Sequence, residues 1–254
     1  MLQKGILPAL LGIVLAPSVQ AEEPGLREIL DRHYEAIGGL ERITSVHSRK
    51  MTGKMVMAQG METAITLLAK RPHKVRIEFT LHGLTGVRAF DGSSAWMVMP
   101  FMGKTEPEKV PPEETEGLKE QADMDGPLVN WKAKGNQVEL IGKAKVGDSD
   151  TYKLKVTFPG GSTQYYHLNS GTYLLVKVSG SREILGQELG FETTLADYRA
   201  VRGLMLPHLL QSKTLGAGPG QTITIDKIEI NPDVDDAQFV MPKVEKKGSE
   251  KPQL

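Results

Sequence analysis

Cysteine is absent from all 254 residues, and this absence sets the first limits on the chemistry of the chain. Without a thiol there can be no disulfide, no cysteine nucleophile and no lipid-modified N-terminal cysteine. Catalytic motifs are also missing: no HExxH, GxSxG, Walker loop or strand-linked GxGxxG occurs, and the six histidines lack metal-ligand spacing. The sequence therefore favours a protein that is not an enzyme and that holds neither a metal nor another cofactor.

An excess of charge of either sign is also absent. Lysine plus arginine and aspartate plus glutamate number 31 each, so nothing steers the chain toward nucleic acid. The longest apolar run, residues 5–16, is shorter than the roughly 20 residues that span a bilayer. Lys4 precedes this run and the small-residue site Val19-Gln20-Ala21 follows it, which predicts a signal peptide over residues 1–21 rather than a retained anchor. We expect an exported, soluble product.

Alternation of apolar and polar residues is the main pattern in the rest of the chain. Lys74 to Thr80 alternates, Asp91-Gly92 is typical of a hairpin turn, and the next strand, residues 95–99, has no polar face. That strand must be covered by apolar groups on both sides. About ten strands and two helices are predicted. The helices are residues 24–38 and 112–123; the strands are residues 46–58, 61–70, 74–80, 95–99, 137–141, 151–158, 162–168, 172–178, 186–199 and 221–230, the last with a bulge near Asp226.

Evenly spaced short strands of this kind indicate a strongly curved antiparallel sheet or barrel. The two helices are too few to surround it and could cover its open side. No repeat and no shift in composition marks a second domain, so we expect one domain over residues 22–242. The lysine-, glutamate- and proline-rich residues 243–254 are predicted to form a disordered tail.

Methionine is concentrated in one part of the chain. Seven of the 11 methionines lie between positions 51 and 102, on consecutive predicted strands. Methionine is flexible and polarisable, so a methionine-rich concave face suits ligands of variable shape such as acyl chains. The alternative is that these side chains only fill gaps in the core, and composition alone favours that alternative.

Four short motifs, in order along the chain, resemble those of LolA, the periplasmic lipoprotein carrier family. They are Lys70-Arg71-Pro72-His73, Phe90-Asp91-Gly92-Ser93-Ser94-Ala95-Trp96, Met99-Pro100-Phe101 and Val234-Asp235-Asp236-Ala237-Gln238-Phe239. The resemblance implies a mainly β fold: a curved antiparallel sheet that forms an incomplete, half-open β-barrel covered by a helical lid. It also implies a periplasmic location and an apolar cavity for the acyl chains of lipoproteins or another lipid. An inner-membrane release complex and an outer-membrane acceptor would be the protein partners.

The resemblance also suggests candidate site residues. Arg71 matches the arginine that hydrogen-bonds the lid backbone in this family and holds the cavity shut. The expected cavity lining is Met55, Met57, Ile65, Ile77, Phe79, Trp96, Met97, Met99 and Phe101, although Trp96 and Met97 point to opposite faces of a flat strand. A second function stays open: a non-catalytic envelope sensor or structural module that uses the same groove to bind a protein partner.

Overall fold

The computed structural model describes residues 23–57, 60–184 and 187–243. The predicted signal peptide, and all of the predicted tail except Lys243, lie outside the described residues.

The described residues form three helices and thirteen strands, with short 3-10 turns at Pro100–Met102 and Asp236–Gln238. The helices are α1 (Leu26–Ala36), α2 (Leu40–Thr44) and α3 (Pro112–Ala122). The strands are β1 (Ser48–Val56), β2 (Glu62–Lys70), β3 (Lys74–Leu81), β4 (Leu84–Phe90), β5 (Ala95–Met99), β6 (Lys104–Lys109), β7 (Gln137–Val146), β8 (Ser149–Thr157), β9 (Thr163–Asn169), β10 (Leu175–Ile184), β11 (Gln187–Val201), β12 (Leu204–Thr214) and β13 (Gln221–Ile230).

All of these strands belong to one antiparallel sheet in the order β6-β5-β4-β3-β2-β1-β13-β12-β11-β10-β9-β8-β7. The sheet therefore consists of two meanders, β1–β6 and β7–β13, which meet where β1 pairs with β13. It is strongly curved and does not close. The predicted incomplete barrel with a helical cover is confirmed.

The seam between β1 and β13 contains the predicted bulge. Thr52 pairs with Lys227 and Gly53 pairs with Ile225, so Asp226 is skipped. A Cβ on Gly53 would lie 2.0 Å from the carbonyl oxygen of Thr224, which explains the glycine at this close approach.

Four elements differ from the sequence prediction. The expected polar loop before α3 contains strand β6, and α2, β4 and β12 are absent from the predicted elements. Pro207 lies inside β12, where it pairs with Tyr198. Proline lacks the N–H that a central strand donates, so its presence argues against a strand when only the sequence is read.

The helices cover one face of the sheet, called here the inner face. Ile29 and Leu30 of α1 pack against β7, β8 and β9, including Leu154 and Leu168. Leu118 and Ala122 of α3 pack against β2 to β5, and Ile43 of α2 packs near the start of β12. The inner face therefore lies beneath helices from one meander to the other.

The opposite, outer face of β2 to β5 is covered by residues 234–241, called here the outer strap. Phe239 is fully buried, and it packs with Val234 against Leu68. Trp96 donates a hydrogen bond from Nε1 to the carbonyl oxygen of Phe239 at 2.7 Å. The apolar strand β5 thus has α3 on one side and the outer strap on the other, which meets the expectation that both of its faces are covered.

Candidate binding site

The inner face beneath α3 is an apolar surface that gathers four of the predicted lining residues. Ile65, Ile77, Phe79 and Met97 belong to the cluster that packs against α3. Ile65 and Ile77 are buried, whereas Phe79 and Met97 are partly buried. The side chains of Leu118 and Ala122 of α3 pack on this surface and cover it.

Met99 and Phe101 lie at the far end of the same face, over Gly86. A Cβ on Gly86 would come within 2.8 Å of Met99 Sδ and 2.7 Å of Phe101 Cε1. The absence of a side chain at this position therefore makes room for both groups. Met102, the next residue, is 68% exposed.

Met55 also lies on the inner face, because its cross-strand neighbours are Thr63 and Ile223, and Ile223 packs against the α3 cluster. Met57 follows the end of β1 and is half-buried; its backbone N–H bonds the carbonyl of Met61. Met55 therefore extends the apolar face towards the turn of the first hairpin, where Met57 lies.

Trp96 is the one member of the predicted set that points to the outer face. It packs with Val87 and Ala89, and the guanidinium of Arg76 lies 5.7 Å from its ring centroid. Period-two alternation along β5 separates it from Met97. Trp96 fixes the outer strap rather than contributing to the inner surface.

Arg71 joins three separate segments on the inner side. Its Nε donates to the carbonyl of Val46 at 2.6 Å, and Nη2 donates to the carbonyl of Ile43 at 3.3 Å. Its two terminal nitrogens bond both carboxylate oxygens of Asp125 at 2.9 and 2.6 Å. The Asp125 side chain is only 7% exposed, so this is a bidentate pair in a largely dry environment. Arg71 ties the end of β2 to the segment that follows α3.

A cavity of about 250 Å³ lies next to this pair, between the helices and strands β10 to β13. Its apolar wall comprises Leu175, Leu195, Leu204, Leu206 and Ile230; the polar groups around it include His33, Arg49, Asp123, Asp125 and Tyr198. The nine predicted lining residues lie elsewhere. That prediction concerns the surface under α3, and this cavity is a second apolar space beside it.

Charges around the cavity are paired with one exception. Lys134 bonds both oxygens of Asp123 at 2.7 and 2.6 Å, and Arg71 holds Asp125. Arg49 makes no ion pair with another described residue, and its Nε is buried without a hydrogen-bond partner. Burial lowers the pKa of Arg49, while the charge of Asp125 opposes this shift.

Comparison with solved structures identifies the architecture. A LolA superfamily protein from Nitrosomonas europaea matches with a TM-score of 0.57 and 15% identity, over 86% of this chain and 98% of the other. A Vibrio parahaemolyticus domain assigned to outer membrane lipoprotein sorting matches with a TM-score of 0.57 and 13% identity, over 84% of this chain and 94% of the other. The chain has a LolA-like fold. A DUF1329 family protein from Desulfovibrio piger shares this fold, with a TM-score of 0.59 and 12% identity over 86% of this chain and 98% of the other.

At these identities the likeness shows the LolA-like fold alone. No protein-family model matches the chain, and no curated protein matches it in sequence. The fold implied by the four motifs is nevertheless the fold observed.

Two polar residues next to the cavity are not predicted from the sequence. Asp125 follows the predicted second helix, and nothing local indicates its partner 54 positions away. Arg49 carries a readable signal, because it lies in the same period-two phase as Met51 and Met55. A charged residue in an apolar phase indicates either a bulge or a buried polar site.

Across residues 23–57, 60–184 and 187–243, no three His, Asp or Glu side chains are grouped so that they could hold a metal ion. Within the same residues, no helix has the length and apolar character needed to cross a membrane.

Proposed function

We propose that this protein is a non-catalytic periplasmic carrier that binds the acyl chains of lipoproteins, or a related lipid, on the inner face beneath α3. The observation that carries the proposal is the bidentate pair of Arg71 and Asp125, which holds the segment after α3 against an otherwise apolar surface. Sorting of lipoproteins to the outer membrane is the biological role that the four motifs suggest. An inner-membrane release complex and an outer-membrane acceptor would then be its partners.

The contacts of α3 suit a cover that opens. Leu118 and Ala122 are its buried apolar residues, each about 2% exposed. The remaining ties among the described residues are polar: the buried Gln164 donates to Glu120 at 3.0 Å, and two partly exposed ion pairs join Arg88 to Glu114 at 2.8 Å and Arg182 to Glu120 at 3.0 Å. Exposed pairs of this kind contribute at most about 1 kcal/mol each. A ligand that replaces the apolar contacts of α3 therefore has mainly the bonds of Arg71 to overcome.

Arg71 acts as a latch in this proposal. Its bonds to Val46, Ile43 and Asp125 form in the closed state, which excludes cargo. Any interaction that stabilises the closed state lowers the net affinity for cargo and favours the release of cargo. A buried chain of about 14 methylenes would gain on the order of 11 kcal/mol, so a carrier needs such an opposing term in order to unload.

Replacement of the latch tests this proposal. Arg71→Leu is expected to bind a hydrophobic probe more tightly and to transfer it more slowly to an acceptor membrane. Arg42→Leu is a matched control, because Arg42 is exposed and bonds only the backbone oxygens of Gly38 and Gly203. If Arg71→Leu folds and equals the wild type in both affinity and transfer, Arg71 is not a latch and the carrier proposal loses its main support.

A sensor or structural module is the second candidate, and one observation favours it. The inner face beneath α3 is filled by the chain's own side chains, as expected for a groove that opens only for a protein partner. Mass spectrometry of an organic extract of the exported protein separates the two functions. A stoichiometric lipid supports the carrier, and its absence from protein purified without detergent supports the sensor.

Export is tested separately by N-terminal sequencing of the protein recovered from the periplasm. We expect the mature chain to begin at Glu22. Recovery of a membrane-bound form that retains Met1 would contradict the periplasmic assignment.

A further inference from the structure

Arg49 is the residue from which this inference starts. It lies on β1, between Ala69 of β2 and Ile230 of β13, and it lines the cavity of about 250 Å³ beneath the helices. Its Nε is buried without a partner. Lys50, the next residue, points to the outer face, where it lines a polar pocket with Arg76 and Glu78. Arg49 is therefore directed inward by the alternation of the strand.

The charges around the cavity do not cancel. Arg49, Asp123 and Asp125 line the cavity, and Arg71 and Lys134 bind the two aspartates from outside its lining, so these five groups together carry one excess positive charge. His33 adds no charge near neutral pH, because burial lowers its pKa. The hydrogen bond between its Nδ1 and the carbonyl oxygen of Tyr173, at 2.8 Å, opposes this shift. The excess belongs to Arg49, since the other two cations each bind an aspartate. A buried N–H without a hydrogen-bond partner, such as Arg49 Nε, is costly, and an anion in the cavity would relieve that cost.

The opposite wall determines what kind of anion fits. It is made by leucine and isoleucine side chains from β10 to β13, among them Leu195, Leu206 and Ile230. A cavity with one unpaired guanidinium and one apolar wall matches an amphiphile, with its head at Arg49 and its chain along the leucines. A guanidinium has a planar fork of donors that matches a carboxylate in two parallel hydrogen bonds.

We propose that this cavity binds the carboxylate end of a free, single-chain fatty acid, with Arg49 as the group that binds the head. This inference goes beyond the proposed carrier function, because the cavity lies beside the surface under α3 and would take a second class of ligand. The acyl chains of lipoproteins are ester- or amide-linked and offer no carboxylate, so Arg49 would distinguish free acids from them.

Size selects the fatty acid over a two-chain phospholipid. The volume of about 250 Å³ lies below the roughly 300–1,000 Å³ of ordinary ligand pockets, so two chains do not fit.

The test compares decanoate with decanol, which share a chain and differ in the charged head. Isothermal titration calorimetry of the full-length protein at about pH 8, where decanoate is ionised, gives both affinities. Wild type is expected to bind decanoate at least about tenfold more tightly than decanol, as hydrogen bonds to a charged group imply. Arg49→Met should lose this preference while it keeps its affinity for decanol.

Lys50→Met is the matched control, because it removes the same charge from the same strand on the outer face. It should keep the full preference for decanoate. Arg49→Lys should keep part of the preference, since it retains the charge but loses the planar fork. A rise in the melting temperature with decanoate that is larger than with decanol in wild type, and equal for the two compounds in Arg49→Met, provides a second readout.

Each result has one meaning. Equal affinity of wild type for decanoate and decanol overturns the role of Arg49 but leaves the carrier function intact. No binding of either compound overturns this inference and counts against the carrier function as well. A folded Arg49→Met that still prefers decanoate also overturns the inference. If Arg49→Met does not fold, the wild-type preference together with the Lys50→Met and Arg49→Lys affinities decides.

Discussion

Asp125 is the carboxylate on which two guanidinium groups depend. It accepts two hydrogen bonds from Arg71, and its charge also favours the charged form of Arg49. Its side chain is 7% exposed and that of Arg71 is 34% exposed. Loss of Asp125 therefore leaves two positive charges close together with no neighbouring anion.

Asp125→Asn is accordingly expected to lower the free energy of unfolding by about 2 kcal/mol. This is less than the roughly 3–5 kcal/mol for breaking a fully buried pair, because Arg71 is partly exposed. Urea denaturation measures the change. Asp31→Asn, which breaks an exposed pair with Arg27, serves as the control and should change it by less than about 0.5 kcal/mol. Equal losses in the two variants would contradict the importance of the Asp125 site.

Asp236 fastens the outer strap and makes its attachment sensitive to acid. Its oxygens bind Lys70 at 2.7 Å and Lys74 at 2.6 Å. Hydrogen bonds from Lys70 and Lys74 lower the pKa of Asp236 to about 2. A folded-state pKa below the unfolded value of about 3.9 stabilises the folded state above that value, and this contribution is lost as the pH falls through about 2.

The stability difference between wild type and Asp236→Asn should therefore depend on pH. We expect wild type to be the more stable protein at about pH 6 and the difference to shrink between about pH 4 and pH 2. Denaturant midpoints across this range provide the measurement. Asp233→Asn is a nearby exposed control, because Asp233 makes no ion pair within the described residues. A difference that stays constant down to about pH 2 would refute the assignment.

At the scale of elements, α3 combines a structural role with a proposed moving role. Only a narrow stripe of this helix, including Leu118, meets the sheet, and its charged residues bind the rim. Few buried apolar contacts and several exposed polar ones are characteristic of a segment that opens locally before the whole protein unfolds.

Leu118→Ala is expected to weaken this closure. Removal of a leucine side chain that is 2% exposed should cost about 2–3 kcal/mol of stability. If α3 is a cover, the variant should also bind an apolar fluorescent dye more strongly under native conditions, because Ile77 and Phe79 become accessible. Glu116→Ala, on the exposed side of α3, is the control. A loss of stability without any gain in dye binding would indicate a fixed helix rather than a cover.

At the scale of the whole molecule, the sequence specifies the strands better than the sites. Alternation along β3 and β8 and the register shift at Asp226 are local patterns, so they could be predicted. The long-range contacts of Trp96 and Asp125 could not be predicted. Trp96 points outward because the outer strap returns to cover it, and Asp125 finds Arg71 only after α3 has crossed the sheet. Both contacts depend on the path of the chain rather than on nearby residues.

The exchange of covers between the two meanders has a consequence for how the protein can be divided. Helix α1 precedes the first meander yet covers β7 to β9 of the second, and the outer strap follows the second meander yet covers β2 to β5 of the first. Each half therefore carries the cap of the other. Cleavage between the exposed residues Lys132 and Ala133 should give two fragments that are unfolded when separate and that fold together when mixed. The chain would then behave as a split protein, in which recovery of the folded state reports that the two halves have bound each other.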